Sequence, residues 1–131
     1  MIVLDTHVII WDALKPELLS DPARQAIDLA NRQDGLIFCD ISLWEIAMLI
    51  HKGRLQVEVE YPDFINLVLQ ANRYILHRIT PTIAHRSTQL PVTINADPAD
   101  RLIAATALVE NAVLVTADKN LRKATTIPTL W

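Results

Sequence analysis

Short runs made largely of apolar residues, "MIVLD", "GLIFCD", "YILHRI" and "VLVTAD", recur along the chain with helix-forming segments between them. No other feature restricts the fold as much. A strand with one wet face alternates apolar and polar residues, whereas a strand buried on both faces reads as a continuous apolar run. Strands that alternate with helices pair in parallel, because a parallel neighbour needs a crossover long enough to hold a helix. The expected fold is α/β, with a mostly parallel central sheet between two helical layers (α/β/α). No linker, repeat or low-complexity tract divides the 131 residues, so a single domain over residues 1–131 is expected.

The helices are marked by their starts. In "SDPARQAIDLANRQ", Ser20 or Asp21 suits the N-cap and Pro22 the first turn. "SLWEIAMLIHKG" offers Ser42 as N-cap, Glu45 as its capping-box partner and Gly53 as C-cap. "TPTIAHRSTQL" begins through Thr80 and Pro81, and "DPADRLIAATALVENA" through Asp97 and Pro98. "VIIWDAL", "YPDFINLVLQAN" and "KNLRKA" complete the helical set, and the tail to Trp131 reads as a last short strand.

Composition removes several function classes. Two glycines, Gly35 and Gly53, do not make a phosphate-cradling loop. The single cysteine, Cys39, allows neither an internal disulfide nor a thiolate zinc cage, and suits a reducing compartment. The four histidines, His7, His51, His77 and His85, show no ligand spacing, and no G-x-S-x-G elbow accompanies them. No secretory leader is visible, and no apolar run reaches the ~20 residues of a membrane span. A soluble, cytoplasmic protein without membrane contact is expected. A net charge of −3 argues mildly against a nucleic-acid partner, unless the acids gather at one point around a metal.

The acids do fall together. Asp5 ends the first strand run and Asp118 follows the last of the four. Asp97 and Asp100, three positions apart, open a helix, and Glu45 lies near the start of another. In a parallel sheet all five belong to the rim at the carboxyl ends of the strands, where such folds bind ligands. Each acid taken alone suits a helix cap. Glu45 weakens that collective explanation, because it is the only charge between Asp40 and Lys52 and its neighbours are apolar. An ionised carboxylate there needs a partner. Several carboxylates in one cleft repel, and a divalent cation removes the repulsion; oxygen-only ligation suits Mg2+ or Mn2+.

At these residues the chain resembles a known family. "LDTHVIIW", "SLWEIAMLIHKGRL", "DPADRLIAATAL" and "LVTADKNL" look like the successive motifs of PIN-domain ribonucleases, specifically the VapC-type toxins of bacterial toxin–antitoxin pairs. The resemblance runs from Ile2 to about Leu121. It implies a PIN-like α/β/α fold and a Mg2+- or Mn2+-dependent endoribonuclease using one or two ions. Asp5, Glu45, Asp100 and Asp118 match the catalytic, metal-holding acids. Asp97 belongs to the "DPxDR" form of the third motif, as a supporting ligand or only as the N-cap. Thr6 and Thr116 match the hydroxyls that accompany the acids. Arg101 and Lys119, each beside a proposed ligand, are candidates for phosphate contact. The resemblance also implies a cognate antitoxin, an RNA substrate and a homodimer. The histidine that often precedes "DP" is absent here, where Asn95 and Ala96 stand. No role is assigned to His7.

Two other readings compete. A haloacid-dehalogenase-type phosphatase also has an Asp after its first strand, but requires a second two residues on, where this chain has His7. A non-catalytic PIN-like module that binds RNA or protein would not need the complete acid set.

Overall fold

The computed structural model describes residues 1–131. Its centre is one five-stranded, all-parallel sheet built from β1 (Ile2–Leu4), β2 (Leu36–Cys39), β3 (Tyr74–His77), β4 (Val113–Val115) and β5 (Thr129–Leu130). The strands lie in the order β3-β2-β1-β4-β5. Seven α-helices connect them: α1 (Thr6–Leu14), α2 (Asp21–Arg32), α3 (Ile41–His51), α4 (Tyr61–Ala71), α5 (Pro81–Thr88), α6 (Pro98–Val109) and α7 (Lys119–Lys123).

The side-chain alternation of the strands splits the core in two. Leu4, Leu36, Phe38 and Val115 pack with α1, α2, α3 and α4. Val3, Ile37, Cys39 and Leu114 face the other way and pack with Ile103, Ala104 and Ala107 of α6 and Leu121 of α7. Both faces of the central strands are therefore buried, which is why they read as unbroken apolar runs. The α/β/α expectation is met. No helix is long and apolar enough to cross a membrane.

Strand order fixes where a site can form. From β1 the chain moves outward to β2 and β3, then returns to place β4 on the other side of β1. The reversal leaves a crevice at the carboxyl ends of β1 and β4, where adjacent connections diverge. Leu4 pairs with Val115, so the next residues, Asp5 and Thr116, meet at that crevice.

The helix starts agree with the sequence at α2, where Ser20 Oγ accepts from the Ala23 N–H, and at α5, where Thr80 Oγ1 accepts from the Ile83 N–H. α3 differs. It begins at Ile41, and Asp40, itself in helical conformation, occupies the N-cap without a side-chain bond to the helix; its Oδ2 accepts from the Ile79 N–H instead. Ser42 is fully buried inside the first turn and bonds to Thr6 rather than capping. The expected capping box between Ser42 and Glu45 does not form, because both side chains turn toward α1.

Candidate metal centre

The site begins with Asp5. Its N–H donates to the Val115 carbonyl, continuing the β1–β4 ladder one step past the strand. Its side chain then starts α1: Oδ1 accepts from the Thr6 N–H at 2.9 Å and Oδ2 from the Thr116 hydroxyl at 2.7 Å. Asp5 is only 7% exposed. Burial pushes its carboxyl above the usual range, against the lowering effect of those two donors.

Thr116 serves two acids at once. While donating to Asp5, its Oγ1 accepts the Asp118 N–H at 3.0 Å. Asp118 caps α7 through Oδ1, which accepts from Asn120 N and Leu121 N. Thr6 has a similar place on the other flank. Its hydroxyl donates to Glu45 Oε1, and having only one hydrogen it accepts from Ser42 Oγ, 2.8 Å away. Glu45 is half-buried; burial raises its carboxyl, the Thr6 bond lowers it, and the charges of Asp5 and Asp97 raise it further.

The start of α6 supplies the remaining acids. Asp97 is the N-cap, with Oδ1 accepting from Ala99 N at 2.8 Å. Carboxylate oxygens of Glu45, Asp97 and Asp100 all lie within 4.8 Å of one another. Asp97 is thus a cap and a member of the cluster together. Burial, then the neighbouring Asp5 and Asp97, push the Asp100 carboxyl up to about 7, against the bond from Asn95. A cleft of about 320 Å3 is lined by Asp5, Glu45, Asp97, Asp100 and Asp118, with His7 and Trp11 at its side.

Three residues of this region differ from the sequence reading. Asn95 has no role in the sequence pattern, yet its Nδ2 donates to both Asp100 Oδ2 (3.0 Å) and Asp118 Oδ2 (2.9 Å), and its Oδ1 accepts from Asn120. It bridges two carboxylates from different elements. His7 lines the cleft, with its ring 6.0 Å from that of Trp11 one turn along α1. Arg101, expected at a phosphate, is turned to the loop instead. Its guanidinium donates to the carbonyls of Ser87, Leu90, Pro91 and Ile94. A planar group with five donors suits that loop of unpaired carbonyls, so Arg101 holds the segment that carries Asn95. Lys119 is exposed at the start of α7. Cys39 is buried and pushed up to about 12 by that burial, which leaves it an inert thiol.

The donor set fits a hard divalent cation. Every candidate ligand is a carboxylate oxygen, and no Lys or Arg stands within ion-pair distance of any of them; the one ion pair in the protein joins His77 to Glu110. Buried acids without a cationic partner take up protons, as the raised Asp5, Glu45 and Asp100 indicate, or take up a metal ion.

An α/β/α fold of this strand order, with five carboxylates gathered at its switch point, defines a class: proteins with an acidic site that can hold a divalent metal. The chain belongs to the PIN-domain family, whose pattern it matches over residues 2–126. It is 37% identical over 121 residues to Ribonuclease VapC22 of Mycobacterium tuberculosis (strain ATCC 25618 / H37Rv), covering 92% of this chain and 89% of that protein. Its fold is similar to VapBC2 from Rickettsia felis bound to a DNA fragment from the promoter (TM-score 0.74, 18% identity, 99% of this chain and 98% of that one). FitAcB from Neisseria gonorrhoeae is also similar (TM-score 0.65, 21% identity, 100% and 97%). The haloacid-dehalogenase reading is not favoured by these matches.

Proposed function

We propose that the protein is a single-domain, metal-dependent endoribonuclease, the toxin of a toxin–antitoxin pair, and that it hydrolyses RNA phosphodiesters. One observation carries the reading: five carboxylates with no Lys or Arg in ion-pair distance line the switch-point cleft of a PIN-domain chain. The 37% identity to a named ribonuclease supports the chemistry.

Asp5, Glu45, Asp100 and Asp118 are the residues to hold one or two Mg2+ or Mn2+ ions, with Asp97 beside them. A divalent ion bound there supplies Lewis-acid polarisation of the phosphate and a lowered pKa for attacking water. The chain's own groups position these acids. Thr116 fixes Asp5, Thr6 fixes Glu45, and Asn95 holds Asp100 and Asp118 in a set geometry. Lys119, next to Asp118, is the candidate for phosphate contact. Water needs no side-chain nucleophile in this scheme, and the cleft has no free Cys, Ser or Lys among its lining residues.

An antitoxin segment has a suitable groove. His7, Trp11, Leu14, Lys15, Leu49, Arg54 and Leu55 line a cleft that shares His7 and Trp11 with the acid site. That cleft continues past Leu14 and Leu55 to a larger apolar groove along Val57, Phe64 and Leu67. A segment with apolar residues for the groove and one basic residue for the acids fits this shape. The VapBC and FitAcB structures support such a partner through their shared fold. The reading includes a cytoplasmic homodimer, which sedimentation of the purified protein tests. The function itself is tested by incubating RNA with purified protein in Mn2+, Mg2+ or EDTA. Metal-dependent cleavage abolished in Asp5→Asn supports it; equal cleavage in EDTA, or by Asp5→Asn, overturns it.

A further inference from the structure

The acid cleft repels the substrate proposed for it. Five carboxylates line it and the chain carries a net −3, so a polyanion must be attracted by a cationic surface nearby. Many cations are already engaged. Arg101 holds its loop, Arg24 the Pro16 carbonyl and Arg73 the Gln33 carbonyl. Lys15 and Arg54 sit among the apolar residues of the groove that fits a protein segment.

Arg32, Lys52, Arg78 and Arg86 have no side-chain partner either, but they line none of these clefts; three other unengaged cations are gathered in one. Lys119, Arg122 and Lys123 line a cleft of about 730 Å3 together with Thr129, Leu130 and Trp131, between α7 and β5. No acidic side chain lines it, and none of the three cations is within ion-pair distance of an Asp or Glu carboxylate. A helix C-terminus favours basic residues, which accounts for Arg122 and Lys123 but not for Lys119 at the opposite end. Two links tie this cleft to the acid site. Lys119 directly follows Asp118, and the Trp131 ring lies 5.7 Å from that of Trp11, which lines the acid cleft.

We propose that the α7–β5 cleft is the track on which single-stranded RNA lies as it approaches the acid cleft. Lys119, Arg122 and Lys123 take successive phosphates, and Trp131 offers a face to an unpaired base. The inference rests on the ribonuclease reading. Cations beside an aromatic face hold single strands without reading their sequence. The apolar groove shares no lining residue with this cleft, so the two partners have separate surfaces that converge at Trp11.

The test is fluorescence anisotropy of a labelled single-stranded oligouridylate, titrated with protein in EDTA at several KCl concentrations. The double variant Arg122→Gln/Lys123→Gln should raise Kd about tenfold and flatten the slope of log K against log[KCl] by about 1.4. Trp131→Leu should raise Kd about tenfold with the slope unchanged. An Mn2+-induced melting shift in each variant establishes that it is folded. A wild-type Kd and slope in the folded double variant overturn the track. Cleavage of the same RNA by wild-type protein in Mn2+ is scored in parallel. Cleavage with an unaltered variant Kd removes the track and leaves the ribonuclease. Track-dependent binding without any cleavage removes the ribonuclease and leaves the track.

Discussion

Thr116 and Asp5 lie 111 positions apart in the sequence and 2.7 Å apart in space, the hydroxyl of one donating to the carboxylate of the other. That bond joins the ends of β1 and β4 and fixes the orientation of the most buried acid. Thr116→Val keeps the shape and removes the donor. Leaving a buried carboxylate oxygen without its partner should cost about 1–3 kcal/mol in urea unfolding. Cleavage should fall about 10- to 100-fold, as for loss of a group that orients a ligand. Wild-type stability and activity in this variant would show that the bond positions nothing.

Asp100 makes stability depend on pH in an unusual direction. Its folded pKa of about 7 lies above the ordinary 3.8, so between those values the folded protein binds more protons than the unfolded chain. Stability contributed by the protonated form is therefore lost as pH rises from about 4 through about 7. Asp5 and Glu45, also raised, act in the same sense. EDTA-treated protein should melt lower at pH 8 than at pH 5.5, and Mn2+ should raise the melting temperature most at pH 8. Asp100→Asn should reduce that pH dependence. A melting temperature that rises with pH in EDTA contradicts the assignment.

Glu45→Gln separates function from stability. The exchange removes one charge from a half-buried, repelling set while keeping the acceptor for Thr6. The metal-free protein should gain about 1 kcal/mol in urea unfolding, as relief of a strained functional site commonly does. Cleavage should drop about a thousandfold if Glu45 contributes several kcal/mol through the metal. A stability loss with intact cleavage would restore the capping role.

Arg101→Lys tests the loop. One ammonium cannot reach the carbonyls of Ser87, Leu90, Pro91 and Ile94 together. The charged hydrogen bonds it loses should cost about 2–3 kcal/mol. Because the same loop carries Asn95, Mn2+ affinity measured by calorimetry should weaken about tenfold as well. Weakened RNA binding with unchanged Mn2+ affinity would instead return Arg101 to the substrate.

Much of this was legible in the chain. Continuous apolar runs carried the parallel sheet, and Asp5 and Asp118 were placed at its rim by following directly on two of those runs. Glu45 was legible as an acid without a solvated face. Its partner was not: S-x-x-E reads alike whether the serine caps the helix or lies within its first turn, and only the packing of α3 on α1 decides. Asn95 in a loop looks like any turn residue, and its bridge between Asp100 and Asp118 depends on folding over 23 positions. Trp131 joins the site through a ring contact with Trp11, which no local pattern encodes, whereas His7 meets Trp11 at ordinary i,i+4 helical spacing. Arg101 beside Asp100 suggested a shared substrate, but its neighbour in space is a row of carbonyls.

The strand order also sets a schedule. The middle strand of the sheet is the first to be synthesised, and its neighbour β4 is nearly the last. At about 5–20 residues per second, Asp118 leaves the ribosome roughly 6–23 seconds after Asp5. Until then the nascent chain lacks both Thr116, which seats Asp5, and the final carboxylate. A protein proposed to cut RNA is thereby unarmed until Asp118 has left the ribosome that makes it.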